Sequence, residues 1–223
     1  INIAPTVIGE TTINKRAIEG TPNLHKTSND LEYNGKDFYY TDNTADGSDN
    51  AVKLVNSGAA LTVKKGDTVP GVLGSTWTAA TVLKYFDVAA TKTAKNANEK
   101  LTVTATAKAD SPYTGTISAD VLTVQKRDFD ANEFELSVAD GLSYQYTGDI
   151  ITLPTDKVTF KEKDDVLSGA DLSAAVKKAV TTDKATGMKT VEVTLDADKL
   201  PNFNLTDSDK TQITTKANVE ITK

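Results

Sequence analysis

The best metal candidate is Asp42-Asn-Thr-Ala-Asp-Gly-Ser-Asp-Asn50, rich in oxygen-bearing side chains. Asp42, Thr44, Asp46 and Gly47 follow the opening of a calcium loop, and Asn50 adds a further oxygen. A hard cation needs such oxygens converging on one point. The position at which a calcium loop carries its bidentate Glu is Lys53, which brings a positive charge instead. Two readings follow: a calcium site at Asp42, Thr44, Asp46 and Asn50, or a solvated loop whose Asn and Asp side chains close local turns. Asp196-Ala-Asp198 and Asp207-Ser-Asp209 invite the same pair of readings. Calcium is the one cofactor the sequence suggests.

Other groups are weaker starting points for chemistry. Asp164-Asp165, or Glu133 with Glu135, could serve as acid and base in glycoside hydrolysis. No aromatic platform accompanies them. Trp77 lies in a helical pattern and reads as a core plug, and Tyr39-Tyr40 reads as strand packing. His25 is the only histidine and sits in a polar stretch, so triads and His metal clusters lack their central residue. There is no cysteine, hence no thiolate ligand, thiol nucleophile or disulfide. Lys157 and Asn218 form one imaginable pair for an intramolecular isopeptide bond, although lysines on strands also protect sheet edges. No enzymatic activity is expected.

The elements that must position these residues come from a chain of 223 residues with 25 basic and 31 acidic side chains, net charge −6. That sign argues against a nucleic-acid partner, which needs clustered cations. No run approaches the roughly 18 apolar residues of a membrane-spanning helix. No basic region followed by an apolar stretch opens the chain, so no signal peptide is read. Threonine occurs 34 times, and arginine only as Arg16 and Arg127.

The sequence repeats itself. Thr11-Thr-Ile-Asn-Lys-Arg16, Leu122-Thr-Val-Gln-Lys-Arg127 and Val219-Glu-Ile-Thr-Lys223 end alike. Leu31-Glu-Tyr-Asn-Gly35 matches Tyr144-Gln-Tyr-Thr-Gly148, 113 positions on. Ala60-Leu-Thr-Val matches Lys157-Val-Thr-Phe at 97, and Trp77-Thr-Ala-Ala80 matches Leu172-Ser-Ala-Ala175 at 95. Lys100-Leu-Thr-Val matches Lys189-Thr-Val-Glu, and Ser111-Pro-Tyr-Thr-Gly115 matches Leu200-Pro-Asn-Phe-Asn204, both at 89. The order is kept while the spacing drifts, as a duplication requires. The expected organisation is residues 17–127 as one repeat and 128–223 as the next. Residues 1–16 would be a strand of a preceding repeat or an N-terminal arm.

Within the second repeat, alternation predicts strands at 134–138, 143–146, 150–153, 158–160, 189–196 and 219–221. Asp171-Leu-Ser-Ala-Ala-Val-Lys-Lys-Ala-Val180 places Leu172, Ala175, Val176, Ala179 and Val180 at helical spacing, which predicts a helix. Residues 76–88 form its weaker, more β-branched counterpart. About seven short strands per repeat with frequent turn signals fit a β-sandwich. The expected fold is mainly β: two tandem Ig-like β-sandwich repeats, each with one inserted short α-helix.

Ser111-Pro-Tyr-Thr-Gly-Thr and the strand after it resemble the closing strands of Ig-like tandem repeats in large bacterial surface proteins. Gln145-Tyr-Thr-Gly-Asp-Ile-Ile-Thr-Leu-Pro154 resembles their opening segment. The resemblance implies a stalk, adhesin spacer, surface-layer (S-layer) module or related phage virion domain, outside the cell and without shared catalytic residues. Its expected partners are neighbouring repeats or copies of itself. The alternative is an adhesin, or a phage decoration or fibre domain, that recognises a host glycan or protein through loops 42–50 and 69–74.

Overall fold

The structure is a computed structural model and describes residues 14–19, 24–25, 30–43, 45–54, 62–63, 79–214 and 216–223. It is mainly β, with several small sheets and, among the described residues, one α-helix, Ala79–Tyr85. Contacts divide the chain into two compact units. As far as they are described, the first comprises Ile1–Thr27, Tyr39–Lys92 and Leu101–Val121, and the second Ser28–Phe38, Thr93–Lys100 and Leu122–Lys223. The proposed strand or arm at 1–16 lies outside the described residues up to position 13. No described helix is long and apolar enough to cross a membrane.

In the first unit, Ala79 and Val82 sit three apart on one helical face, and Phe86 follows one turn later; all three are buried. They pack with Ile18, Leu54, Ala105 and Ile117 into one cluster. The helix stops where Lys108 takes over its last carbonyls. The Lys108 backbone N–H donates to Tyr85 O at 2.9 Å and its ammonium to Leu83 O at 2.7 Å. Satisfying the orphan carbonyls of a final turn in this way lets the chain leave the helix without burying unpaired groups. It continues directly as the strand Phe86–Lys92, antiparallel to Lys100–Ala107.

In the second unit the strands expected from alternation are present. Phe134–Val138 pairs antiparallel with Val158–Glu162. Thr152–Leu153, Val176–Thr181, Val191–Leu195 and Thr211–Ile213 form one sheet in that order, and Leu142–Gln145, Val219–Thr222 and Gly187–Lys189 form another. Val191, Val193 and Leu195 are buried while Glu192 and Thr194 between them are partly exposed. Four of the chain's six phenylalanines fill the middle: Phe129, Phe134, Phe160 and Phe203, with ring centroids 5.1–6.1 Å apart in stacked, tilted and edge-on pairs. Such pairs add about 0.5–1.5 kcal/mol each beyond simple burial.

The helix expected at 171–180 is absent. Ser173–Ala175 makes a single 3-10 turn and Val176–Thr181 is a strand. A β-bulge explains the misreading. The register with Val191–Leu195 shifts between Val176 and Lys178, leaving Lys177 as an extra residue. One inserted residue turns the strand's two-residue repeat into a spacing of three, so buried Val176 and Ala179 imitate a helical face. The more β-branched segment at 76–88 contains the real helix, because tertiary packing around Val82 and Phe86 overrides propensity.

Phe160 is 1% exposed and touches both Phe129 and Phe134. Phe160→Ala should lower the unfolding free energy by about 3–5 kcal/mol, as large-to-small core substitutions do. Ile213, at 56% exposure, is the control: Ile213→Thr should move stability by less than about 0.5 kcal/mol. Equilibrium denaturation in urea measures both.

Candidate functional site

The loop at 41–50 is built around one carboxylate. Asp46 accepts a hydrogen bond from the Tyr39 hydroxyl at 2.8 Å through one oxygen and from the Ser48 N–H at 2.9 Å through the other. These donors hold its pKa below the usual carboxylate value, the Ser48 N–H having the larger effect. Asn43 closes a second local turn by accepting from the Ala45 N–H. Asn50 is buried, receives the Tyr39 N–H on its carbonyl and donates its own N–H to Ser48 Oγ. The Tyr40 phenol is pushed up to about 12, first by burial and second by the nearby Asp42 charge. Of the four candidate calcium ligands, Asp46 and Asn50 thus serve the loop's own turns, Asp42 faces the Tyr40 side, and Thr44 lies outside the described residues. No group of three or more His, Asp or Glu gathers among the described residues.

The remaining candidates fall into structural positions. Glu133 receives both Nε and Nη2 of Arg127 in a forked pair. Glu135 lies opposite Lys161 in the strand register. Asp196 and Asp209 each cap a local turn, and Asp207 pairs with Lys210 at 2.9 Å. His25 stands opposite Lys53 in the pairing of Leu24–His25 with Ala51–Leu54. Trp77 and the loop 69–74 lie outside the described residues. The Lys157 ammonium is half exposed beside Asp156, whereas Asn218 is buried and donates its amide to Val138 O at 2.6 Å.

Asp164 and Asp165 belong to a loop whose centre is a residue the sequence reading passed over, Glu162. Its carboxylate accepts the N–H groups of Leu167, Gly169 (2.7 Å) and Ala170 (3.1 Å). Asp165, Ser168 and Gly169 all have positive φ within this loop. The loop so held presents Leu167, which is 1% exposed. Nothing in the spacing marks Glu162, because its partners are backbone groups.

Leu167 leads to a closely fitted contact surface within the second unit. Gly35 has φ +73°, and a Cβ placed there would lie 2.2 Å from Leu167 O. Beside it, Tyr33 meets Phe203 edge-on at 5.6 Å. Asn202 completes the surface: its Oδ1 accepts the Ala97 N–H at 2.8 Å and its Nδ2 donates to Asn96 Oδ1 at 3.1 Å. Residues from 33–35 and 96–97 are therefore locked to residues from 167 and 202–203 by apolar, aromatic and amide contacts together. Compared with family models, with curated proteins and with solved structures, the chain matches none.

Comparison of Gly35 with Gly148 separates the cost of the left-handed backbone from that of the close contact. Gly148 also has positive φ, +83°, but nothing lies within 4 Å of where its Cβ would be. Gly148→Ala should therefore cost only the left-handed backbone, about 1–2 kcal/mol. Gly35→Ala adds a collision with backbone and should cost roughly 1–3 kcal/mol more. Thermal and urea unfolding of the two variants side by side measure the difference.

Proposed function

We propose that the protein is a non-catalytic structural module of an extracellular bacterial surface assembly: a stalk, spacer or surface-layer segment built from two tandem Ig-like β-sandwich repeats, 17–127 and 128–223. The observation that carries this reading is a set of matched strand registers. Leu31 pairs parallel with Val124, and Tyr144 pairs parallel with Ile221. The next hydrogen bond is also the same, Tyr33 N–H to Gln125 O and Tyr146 N–H to Thr222 O. On the other side, Asn98 donates to Val124 O, and Gly187 lies opposite Ile221. Both Asn98 and Gly187 have positive φ. Arg16 lies parallel to Tyr113, and Arg127 parallel to Phe203. These pairs preserve the sequence offsets of the duplication to within one residue.

The same registers support a load-bearing role. In a parallel pair, tension toward the N-terminus on the opening strand and toward the C-terminus on the closing strand pulls the two in opposite directions along their length. All the hydrogen bonds between them then share the load at once. Had the strands been antiparallel, the same tension would open the bonds one at a time from one end. Twice in this chain an opening segment lies parallel to a closing strand.

A second reading has its own observation. The loop at 41–50 is rigidly stapled by Asp46, Tyr39 and Ser48 and has no counterpart in the second repeat. Loops held on a rigid scaffold are where recognition usually sits. With loop 69–74 it would suit an adhesin or a phage virion domain that binds a host glycan or protein.

Single-molecule pulling tests the load-bearing reading, using cysteine handles in the otherwise Cys-free chain. Handles at Gly141 and Lys223 load the parallel pair in shear, and handles at Gln145 and Lys223 peel it from one end. The shear geometry should need a several-fold higher force. Equal forces contradict a load-bearing role, and loss of cell or glycan binding on shortening 42–50 favours recognition.

A further inference from the structure

We infer that the end of the second repeat carrying Tyr146, Gly148 and the turn at 185–187 is a docking surface for a further copy of the same β module, which enters with its counterparts of Leu167, Asn202 and Phe203. The inference rests on the tandem-repeat reading and extends it to a partner.

Tyr33 and Tyr146 hold corresponding places, with the same parallel register and the same backbone hydrogen bond. Their surroundings differ. Tyr33 is 9% exposed under the edge of Phe203, whereas Tyr146 is 49% exposed. Gly35 is closed over by Leu167 O, while Gly148 faces open space. The Ala97 N–H is taken by Asn202 Oδ1, while its counterpart at Thr186 lies in an exposed turn. Tyr146 is one of five large hydrophobic side chains conspicuously exposed among the described residues.

The covered surface specifies what would fit the open one. The partner must bring an aromatic edge for Tyr146. It must bring a backbone carbonyl that approaches a glycine more closely than any Cβ allows. It must also bring a side-chain amide for the turn at 185–187. The segment that holds Leu167 through Glu162 and carries Asn202-Phe203 supplies all three in one piece.

The test appends residues 127–223 directly after Lys223 of the full chain, with Tyr146→Phe in the appended copy so that the two peptides differ in mass. Hydroxyl-radical footprinting with mass spectrometry then reads the modification rate of Tyr146. It should fall about fivefold, the ratio of the two tyrosine exposures. If the appended copy shows its own cooperative unfolding and Tyr146 keeps its rate, the docking surface is refuted and the tandem reading stands. If the appended copy does not fold, the tandem reading fails and the docking surface with it. Protection that rises with the concentration of the 223-residue chain instead assigns the surface to a second chain and overturns the proposal.

Discussion

Parallel pairing of an opening segment with a closing strand is the constraint on which the rest depends. Parallel neighbours cannot be joined by a tight turn, so the intervening chain must leave and return by a crossover. Between Glu32 and Thr123, and again between Gln145 and Val219, that crossover contains most of the secondary structure. The returning strand needs a buried face to fix its register, because a slip by one residue would invert it. Val219 and Ile221 are buried while Glu220 and Thr222 are exposed, and Val124 is fully buried between Thr123 and Gln125. The interior supplies the energy for this, and in the second unit it includes the phenylalanine cluster.

The outer faces are held by hydroxyl groups. Thr104 meets Ser118 at 2.7 Å, Thr116 meets Thr106 at 3.3 Å, and Thr182 meets Thr190 at 2.9 Å, all across neighbouring strands or turns. Ser137 and Thr159 form a similar pair. Cross-strand pairs of this kind contribute a few tenths of a kcal/mol to about 1 kcal/mol each. They give a physical use to the 34 threonines: a β-branched stem that suits a pleated surface and a hydroxyl that bonds sideways. The carboxylates work locally in the same way. Asp46, Asp196 and Asp209 hold turns, and Glu162 holds a loop.

Much of the strand pattern was legible because period-two alternation is written directly in the residues. Phe134–Val138, Val158–Glu162 and Val219–Thr222 all appear where alternation places them. The helix at 171–180 was misread because Lys177 is a bulge, and a bulge leaves the same spacing as a helical turn. Arg16 lies parallel to Tyr113 and Arg127 parallel to Phe203, with an aromatic in both places. The calcium pattern at 42–50 is also a turn pattern, since the same oxygens can accept either a cation or backbone N–H groups. Glu162, Gly35 and Leu167 left no local signal. Glu162 acts on backbone N–H groups, which carry no residue signature, and Gly35 meets Leu167 across more than a hundred positions, which spacing within a segment does not encode.

Residue-resolved native-state hydrogen exchange tests the central claim most directly. The amides of Tyr33 and Tyr146, which bond to Gln125 O and Thr222 O, report the two closing pairs. If these pairs hold the fold, both amides exchange only through large, denaturant-sensitive unfolding, as core elements do. Exchange of either through small openings that ignore denaturant would show that its closing pair frays independently, and would contradict the account.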